Sequence, residues 1–393
     1  MDTYLVPRKK SHSLWRLGAL TALAFSAAPN TLYAKTALDT PRWAISVNDG
    51  HSITLPNGKM ATGSTYSPDS AVLIGFHGSQ PFIGNGIELP GSVQGPPTMA
   101  WVSPNSDWAV VTSGAKAGSA PGAPLVPDTR VSVLSIEHGV PKLIQTVEAG
   151  LGPSGVAVSN DQKWALVANR VGGTVSVFKV VNKHLVDEKI IDFGKDSNPT
   201  TVEFLPNSQD AVVVLRKRNA LALLVREKDG YRAAPNMVSV WSSPNTMDIS
   251  HASGLIAVAG MNKVAPGVSI LRANPAGLHE LYRFPVAPGP EPLHFSPDGR
   301  ILAVGSVNDS NAHPERKGSV SLYHLDEKSA TKIAEAPVGH WPQGIIFSPD
   351  GHTLIVQNNT DQSLGVYHVE PEALTFERDI PLGVGPSASA SAW

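Results

Sequence analysis

The chain has 393 residues with 31 basic and 33 acidic side chains, and a net charge of −2 gives it no overall pull toward nucleic acid or an anionic membrane. It contains no cysteine, which excludes disulfides, thiolate metal centres and cysteine nucleophiles together. Its 35 glycines and 33 prolines lie between short apolar runs and not in low-complexity blocks, the mark of many tight turns.

Residues 1–34 are of a different kind. Arg8, Lys9, Lys10 and Arg16 precede the apolar run "LGALTALAFSAA", and "PNTLYA" follows, ending on Ala34. A basic stretch, an apolar stretch and a small-residue exit describe a secretory signal peptide. The apolar run is about a dozen residues, short of the ~20 that span a bilayer. The expectation is cleavage near Ala34, a periplasmic mature protein, no membrane span in the mature chain, and one domain over residues 35–393.

Past the first mature strands, "RWAISVNDG", "SAVLIGF" and "GIELP", the chain falls into a repeat marked by prolines. Pro97 leads into "SPNSD" and "WAVVTSG", Pro153 into "SNDQK" and "WALVANR", and Pro199 into "LPNSQ" and "AVVVLRK". Pro244 leads into "SHASG" and "LIAVAGM", Pro290 into "SPDGR" and "ILAVGSV", and Pro342 into "SPDGH" and "TLIVQNN". A third run such as "TVSVFKV" or "SVSLYHL" follows, then a weaker fourth such as "LHELYRFP". Short Val-, Ile- and Leu-rich runs between turn residues are strand signals. Four strands recurring every ~45 residues describe one propeller blade per repeat.

The last unit, from Pro386, holds only an innermost strand, "SASASA", before Trp393. The predicted fold is therefore an all-β, seven-bladed propeller whose ring is closed by strands from both termini. The surplus around residues 43–60 leaves an eight-bladed ring as the alternative. Trp101, Trp108 and Trp164 are expected to fill gaps between blades.

"GPSGVAVSNDQKWALVANRVGGTVSVF" and "WPQGIIFSPDGHTLIVQNNTDQSLGVY" resemble the bacterial YVTN-type propeller repeat, over about residues 91–393. The related lactonases, including 6-phosphogluconolactonase and muconate-lactonising enzymes, share that repeat. The resemblance implies a catalytic histidine in a Pro-Arg-His segment ahead of an S-P-D-G turn, with an acid after the next strand. This chain departs from that pattern: Pro292, Gly155 and Gly344 stand where the histidine belongs, and Val307 where the acid belongs.

In a propeller, turns leading into innermost strands and turns between second and third strands share one face around the channel. That upper face should carry Arg170, then Arg216, Lys217 and Arg218, then Asn262 and Lys263 on consecutive blades. The insertion "NDSNAHPERKG" adds His313, Glu315, Arg316 and Lys317; Asn358, Asn359 and Asp361 follow, with His340 and Trp341 from a turn leading inward. Guanidinium forks and amides suit an anion, although hairpin tips are polar in every propeller. Arg170, Arg216, Lys217, Arg218, Asn262, Lys263, Arg316, Trp341, Asn358 and Asn359 are the candidate ligand contacts.

His340, Glu291, His313 and Arg316 are the candidates for a rebuilt catalytic site. His313, Glu315 and His340 could suggest a metal, but no metal-ligand spacing motif is present and no metal or cofactor is assigned. No G-x-S-x-G nucleophile elbow occurs, "GNG" at Gly84–Gly86 reads as a turn, and His294 falls in an innermost strand, lining the channel or packed. The expected function is an exported propeller that binds an anionic ligand or a partner protein on its upper face. The alternatives are a lactonase-like hydrolase and an accessory subunit of a periplasmic oxidation system.

Overall fold

A computed structural model describes residues 41–393, apart from 56–57, 65–66 and 207–208. The signal-peptide expectation lies outside the described residues. Seven four-stranded antiparallel sheets form the blades of a propeller. In blades three to seven the strands run outward in chain order, with innermost strands Pro153–Val158, Pro199–Phe204, Pro244–Ile249, Pro290–Phe295 and Pro342–Phe347. Blade two starts from the short strand Ala100–Val102. No α-helix occurs among the described residues; Arg216–Arg218 form one 3-10 turn.

The first blade is composite. Its innermost strand is the C-terminal Gly385–Ser391, hydrogen-bonded to Ala44–Asp49, which pairs in turn with Ser70–His77 and then Gln80–Glu88. The ring therefore closes inside a sheet, leaving no open blade edge at the junction. The surplus near residue 50 is not an eighth blade: Ser52–Thr54 and Met60–Thr62 form a small hairpin between the second and third strands of blade one. Gly84 and Gly86 lie within the outermost strand of that blade and not in a turn. A Cβ at Gly84 would stand 2.8 Å from the Trp43 ring, and one at Gly86 3.1 Å from the Ala71 carbonyl. Close backbone approach, not turn geometry, is what these glycines permit.

The serine that follows the innermost strand on four of the blades braces the polar turn. Ser296 Oγ donates to Asp298 (2.6 Å) and accepts from the Ile301 N–H (3.0 Å); Ser348, Asp350 and Thr353 repeat the arrangement at 2.6 and 2.9 Å. Ser159 and Ser103 do the same with Asp161 and Asp107. The turn thus satisfies its own backbone donors before any blade packs on another.

Between blades the core is apolar. Trp108 is buried and donates its indole N–H to Gln162 of the next blade (2.9 Å). Trp164 packs edge-on to Tyr231 beneath the Arg226 guanidinium. These two tryptophans fill inter-blade gaps as expected. Trp101 differs, standing half-buried in the wall of a cavity at the lower mouth of the channel.

Candidate functional site

The seven prolines that begin the innermost strands set a common register around the channel. The residues immediately after them are Thr98, Ser154, Thr200, Asn245, Glu291, Gln343 and Ser387. All are polar, and they lie where each strand leaves the upper face. Glu291 and Gln343 are buried, and the Gln343 amide favours the charge of Glu291.

Two arginines reach toward this ring from the loops between second and third strands. Arg216 donates to Asn245 Oδ1 at 2.7 Å. Arg170 has no acceptor for its guanidinium among the described residues. Burial, with the charge of Arg216 beside it, lowers the Arg170 guanidinium to about 10, against the pull of Glu291. Burial likewise lowers Arg216, and the Glu291 charge opposes it. Burial pushes Glu291 above the usual carboxylate range, although the Trp341 indole donates to it at 2.9 Å and Arg216 favours its charge. Two guanidinium groups thus face one carboxyl group, leaving the upper mouth with an excess of positive charge.

Of the residues expected on this face, Arg170, Arg216, Glu291 and Trp341 converge. The others are engaged elsewhere. Arg218 turns outward, donating to the Phe193 carbonyl (2.5 Å) and contacting Met237 of the outermost strand. Lys217 pairs with exposed Asp196 at 3.5 Å. Asn262 accepts from the N–H groups of Val264 and Ala265 in its own loop, and Lys263 is exposed beside it. Arg316 pairs with Asp309 and His313 with Glu315, both within the exposed insertion. His340 bridges that insertion to blade seven, its ring nitrogens facing Asp361 Oδ1 (2.6 Å) and the Pro314 carbonyl (3.0 Å). Asn358 accepts from the Gly339 N–H and Asn359 donates to the Pro386 carbonyl. Asn359 and Trp341 also line a polar recess of about 590 Å³ between blades one and seven.

At the two glycines aligned with the lactonase histidine, an added side chain would crowd its neighbours. A Cβ at Gly155 would lie 2.7 Å from the Thr200 carbonyl oxygen and the Thr201 Cα. At Gly344 it would meet Gln357 Oε1 at 2.2 Å and Ser389 Oγ at 2.3 Å.

Asp49, His51 and Asp69, which no spacing motif singled out, gather in the long loop of blade one. Asp49 accepts from the His51, Ser52 and Val93 N–H groups and from the Ser52 hydroxyl. Asp69 accepts from the N–H groups of Gly50 and Gly91 and from His51 Nδ1 at 2.7 Å. Nearly every carboxylate lone pair is already taken, so the cluster works as a hydrogen-bonded brace for this loop.

Toward the lower face, the fifth residues of the innermost strands include Glu203, Asp248 and His294 on three consecutive blades. His294 faces the channel, its Nδ1 donating to Asp248 at 2.9 Å. Only His294 of these three was singled out in the sequence, yet counting four residues on from each proline finds them all.

No family model matches the chain, and no curated protein matches it. Solved structures do. A putative 6-phosphogluconolactonase from Bacteroides fragilis superposes with a TM-score of 0.71 at 15% identity, covering 91% of this chain and 99% of that one. Its counterpart from Bacteroides uniformis gives 0.69 at 16% identity, covering 90% and 100%. The periplasmic gluconolactonase of Pseudomonas aeruginosa gives 0.67 at 17% identity, covering 89% and 98%. The chain has the seven-bladed propeller fold of these lactonase-like proteins, and identities this low speak to fold alone.

Proposed function

We propose that this is an exported, periplasmic propeller of the YVTN-repeat type that binds a small anionic ligand at the upper mouth of its channel. The observation that carries the reading is the pair Arg170 and Arg216, two largely buried guanidinium groups set against the single carboxyl of Glu291. Buried cations in excess are stabilised by an incoming anion, and a guanidinium fork matches carboxylate or phosphate oxygens. The Gln343 amide beside Glu291 carries both donors and an acceptor that suit hydroxyl groups. A sugar acid, with one anionic end and several hydroxyls, fits that set.

The structural neighbours named as gluconolactonases favour a second reading, hydrolysis of a sugar lactone at the same mouth. Glu291, raised by burial, would act as general base toward water attacking the lactone carbonyl. Arg170 and Arg216 would stabilise the oxyanion, and the ring C–O bond would then break to give the hydroxy acid. Glycine or proline at the family's histidine positions sets this mechanism apart from that of the lactonases.

Calorimetric titration with gluconate, 6-phosphogluconate and neutral glucose tests binding, with Arg170→Ala and Arg216→Ala alongside. The anions should bind, glucose should not, and each substitution should weaken binding about tenfold or more. Equal affinity for gluconate and glucose would refute the anion site. Release of acid from gluconolactone above its spontaneous rate, lost in Glu291→Gln, would establish the hydrolase reading.

A further inference from the structure

The channel's lower mouth has the opposite electrostatic character. A cavity of about 420 Å³ opens there, within the size range of small-molecule sites. Trp101, Leu293, Phe295, Ala390 and Trp393 contribute to its lining, so much of the wall is apolar. Glu203 and Asp248 enter it from adjacent blades.

The two carboxyl groups are not equivalent. Asp248 is provided for: it accepts from His294 Nδ1 at 2.9 Å and from the Phe295 N–H at 2.6 Å. His251, from the turn after the same strand, adds a further favourable charge to Asp248. Glu203 faces Asp248, another carboxyl group, and no Lys or Arg among the described residues lines the cavity. His294 pairs with Asp248, and Glu203 is left without a cationic side chain of its own among the described residues. Thr246 makes a separate observation: its side chain lines the same cavity, is fully buried, and leaves its hydroxyl without a partner. Apolar walls, a second carboxyl group with no cationic partner among the described residues and an orphaned hydroxyl together describe a site for a ligand with a cationic head and an apolar body.

We infer that the lower mouth of the channel is a second binding site, for a small organic cation whose ammonium group sits beside Glu203 and whose apolar part lies along Trp101 and Trp393. An inorganic cation would leave the aromatic wall unused. An anion would meet the Asp248 charge beside the Glu203 carboxyl. The channel is thereby polarised along its axis, with anions favoured at the upper mouth and cations at the lower. Burial and the Asp248 charge push Glu203 well above the ordinary carboxylate range, so an ammonium ligand would displace a proton there.

The test uses the whole protein and benzyltrimethylammonium as probe, with benzyl alcohol as its uncharged counterpart, followed by tryptophan fluorescence. Saturable quenching by the cation in the millimolar range or below is expected, with benzyl alcohol weaker by about tenfold. Glu203→Gln, nearly isosteric, should cost a similar factor with an unchanged circular dichroism spectrum. Arg216→Ala at the far mouth should leave affinity for the probe intact. Absence of saturable binding, equal affinity for benzyl alcohol, or an unaltered Glu203→Gln affinity would each overturn the inference. If Glu203→Gln fails to fold, the comparison of cation with alcohol on the unaltered protein still decides it.

Discussion

Trp341 donates its indole N–H to Glu291 across 2.9 Å while its own backbone stands at φ 54°, in the left-handed region. It is the residue before the strand proline, and on four other blades that position also has positive φ, filled by Gly152, Asn198, Ser243 and Gly289. Those types tolerate the conformation; a bulky tryptophan there is an outlier that costs ~1–3 kcal/mol. The strain persists because the indole is buried and reaches the one carboxyl group in the upper ring.

That relationship makes a first prediction. Trp341→Phe keeps the ring and the backbone strain but removes the donor, leaving Glu291 buried with one hydrogen bond fewer. Urea unfolding should show a loss of about 1–3 kcal/mol. In a double-mutant cycle with Glu291→Gln, the coupling between the two should exceed ~0.5 kcal/mol. Additive effects would mean that the indole contributes only by packing.

The second prediction concerns pH and the upper mouth. Glu291 is raised by burial, so as pH falls through its elevated value the carboxyl becomes neutral and the positive excess grows. Affinity for gluconate should therefore increase as pH falls over the range in which gluconate itself stays ionised. Glu291→Gln should bind more tightly than the unaltered protein at neutral pH and lose this dependence. An unchanged slope in that variant would assign the titration to another group.

The fold was legible because propeller repeats write it into turn residues. The prolines give the blade count, the serine-aspartate turns give the hairpins, and the lone strand after Pro386 gives the closure. The candidate site's geometry was legible only in part. Arg170, Arg216, Glu291 and Trp341 were found by their places on upper-face loops, but Arg218 differs from Arg216 by two residues in one 3-10 turn and so points outward. Side-chain direction within a loop has no sequence period to read. Glu203 and Asp248 were missed for another reason: each looks like an ordinary polar residue in a strand until its distance from the blade proline is counted.

A third prediction tests how the innermost strands pack. Gly155 sits where neighbouring backbone approaches so closely that a Cβ would lie 2.7 Å from Thr200 O. Gly155→Ala should cost roughly 1–3 kcal/mol, the range for forced overpacking. Gly344→His, which would restore the lactonase residue type, should fail to yield folded protein. A stable Gly344→His variant with lactonase activity would show that the strand can move aside.

The fourth prediction follows from His294. Burial lowers its basicity, but the charge of Asp248 and the hydrogen bond to it prevail, and the net shift is upward. A histidine raised on folding stabilises fully below its unfolded value near 6.5, and that stabilisation is lost as pH rises through the folded value. His51 is raised as well, so the unaltered protein alone cannot separate the two. The stability difference between it and His294→Gln should be largest at about pH 5–6 and shrink toward pH 9. A difference that is constant across that range would mean His294 is equally charged in folded and unfolded chains.

The fifth concerns closure. Gly385–Ser391 pairs along the whole of Ala44–Asp49, from Ala44 opposite Ser391 to Asp49 opposite Gly385. Gln357 of blade seven donates to the Ala388 carbonyl at 2.8 Å and to Ser46 Oγ at 2.6 Å, tying both halves of the composite blade to its neighbour. Trp393 donates to the Phe347 carbonyl at 2.9 Å and packs edge-on against Phe76. Deleting residues 387–393 would remove most of this pairing and both Trp393 contacts, and expose most of the inner edge of Ala44–Asp49, whose residues are buried throughout. A bared, apolar strand edge recruits other chains. The shortened protein should aggregate and melt at least ~10 °C lower, the scale of losing several kcal/mol in a domain of this size. A synthetic peptide of residues 383–393 added to it should recover part of the lost melting temperature by occupying the vacated edge. Unchanged melting without those residues would show that the remaining strands close the ring by themselves.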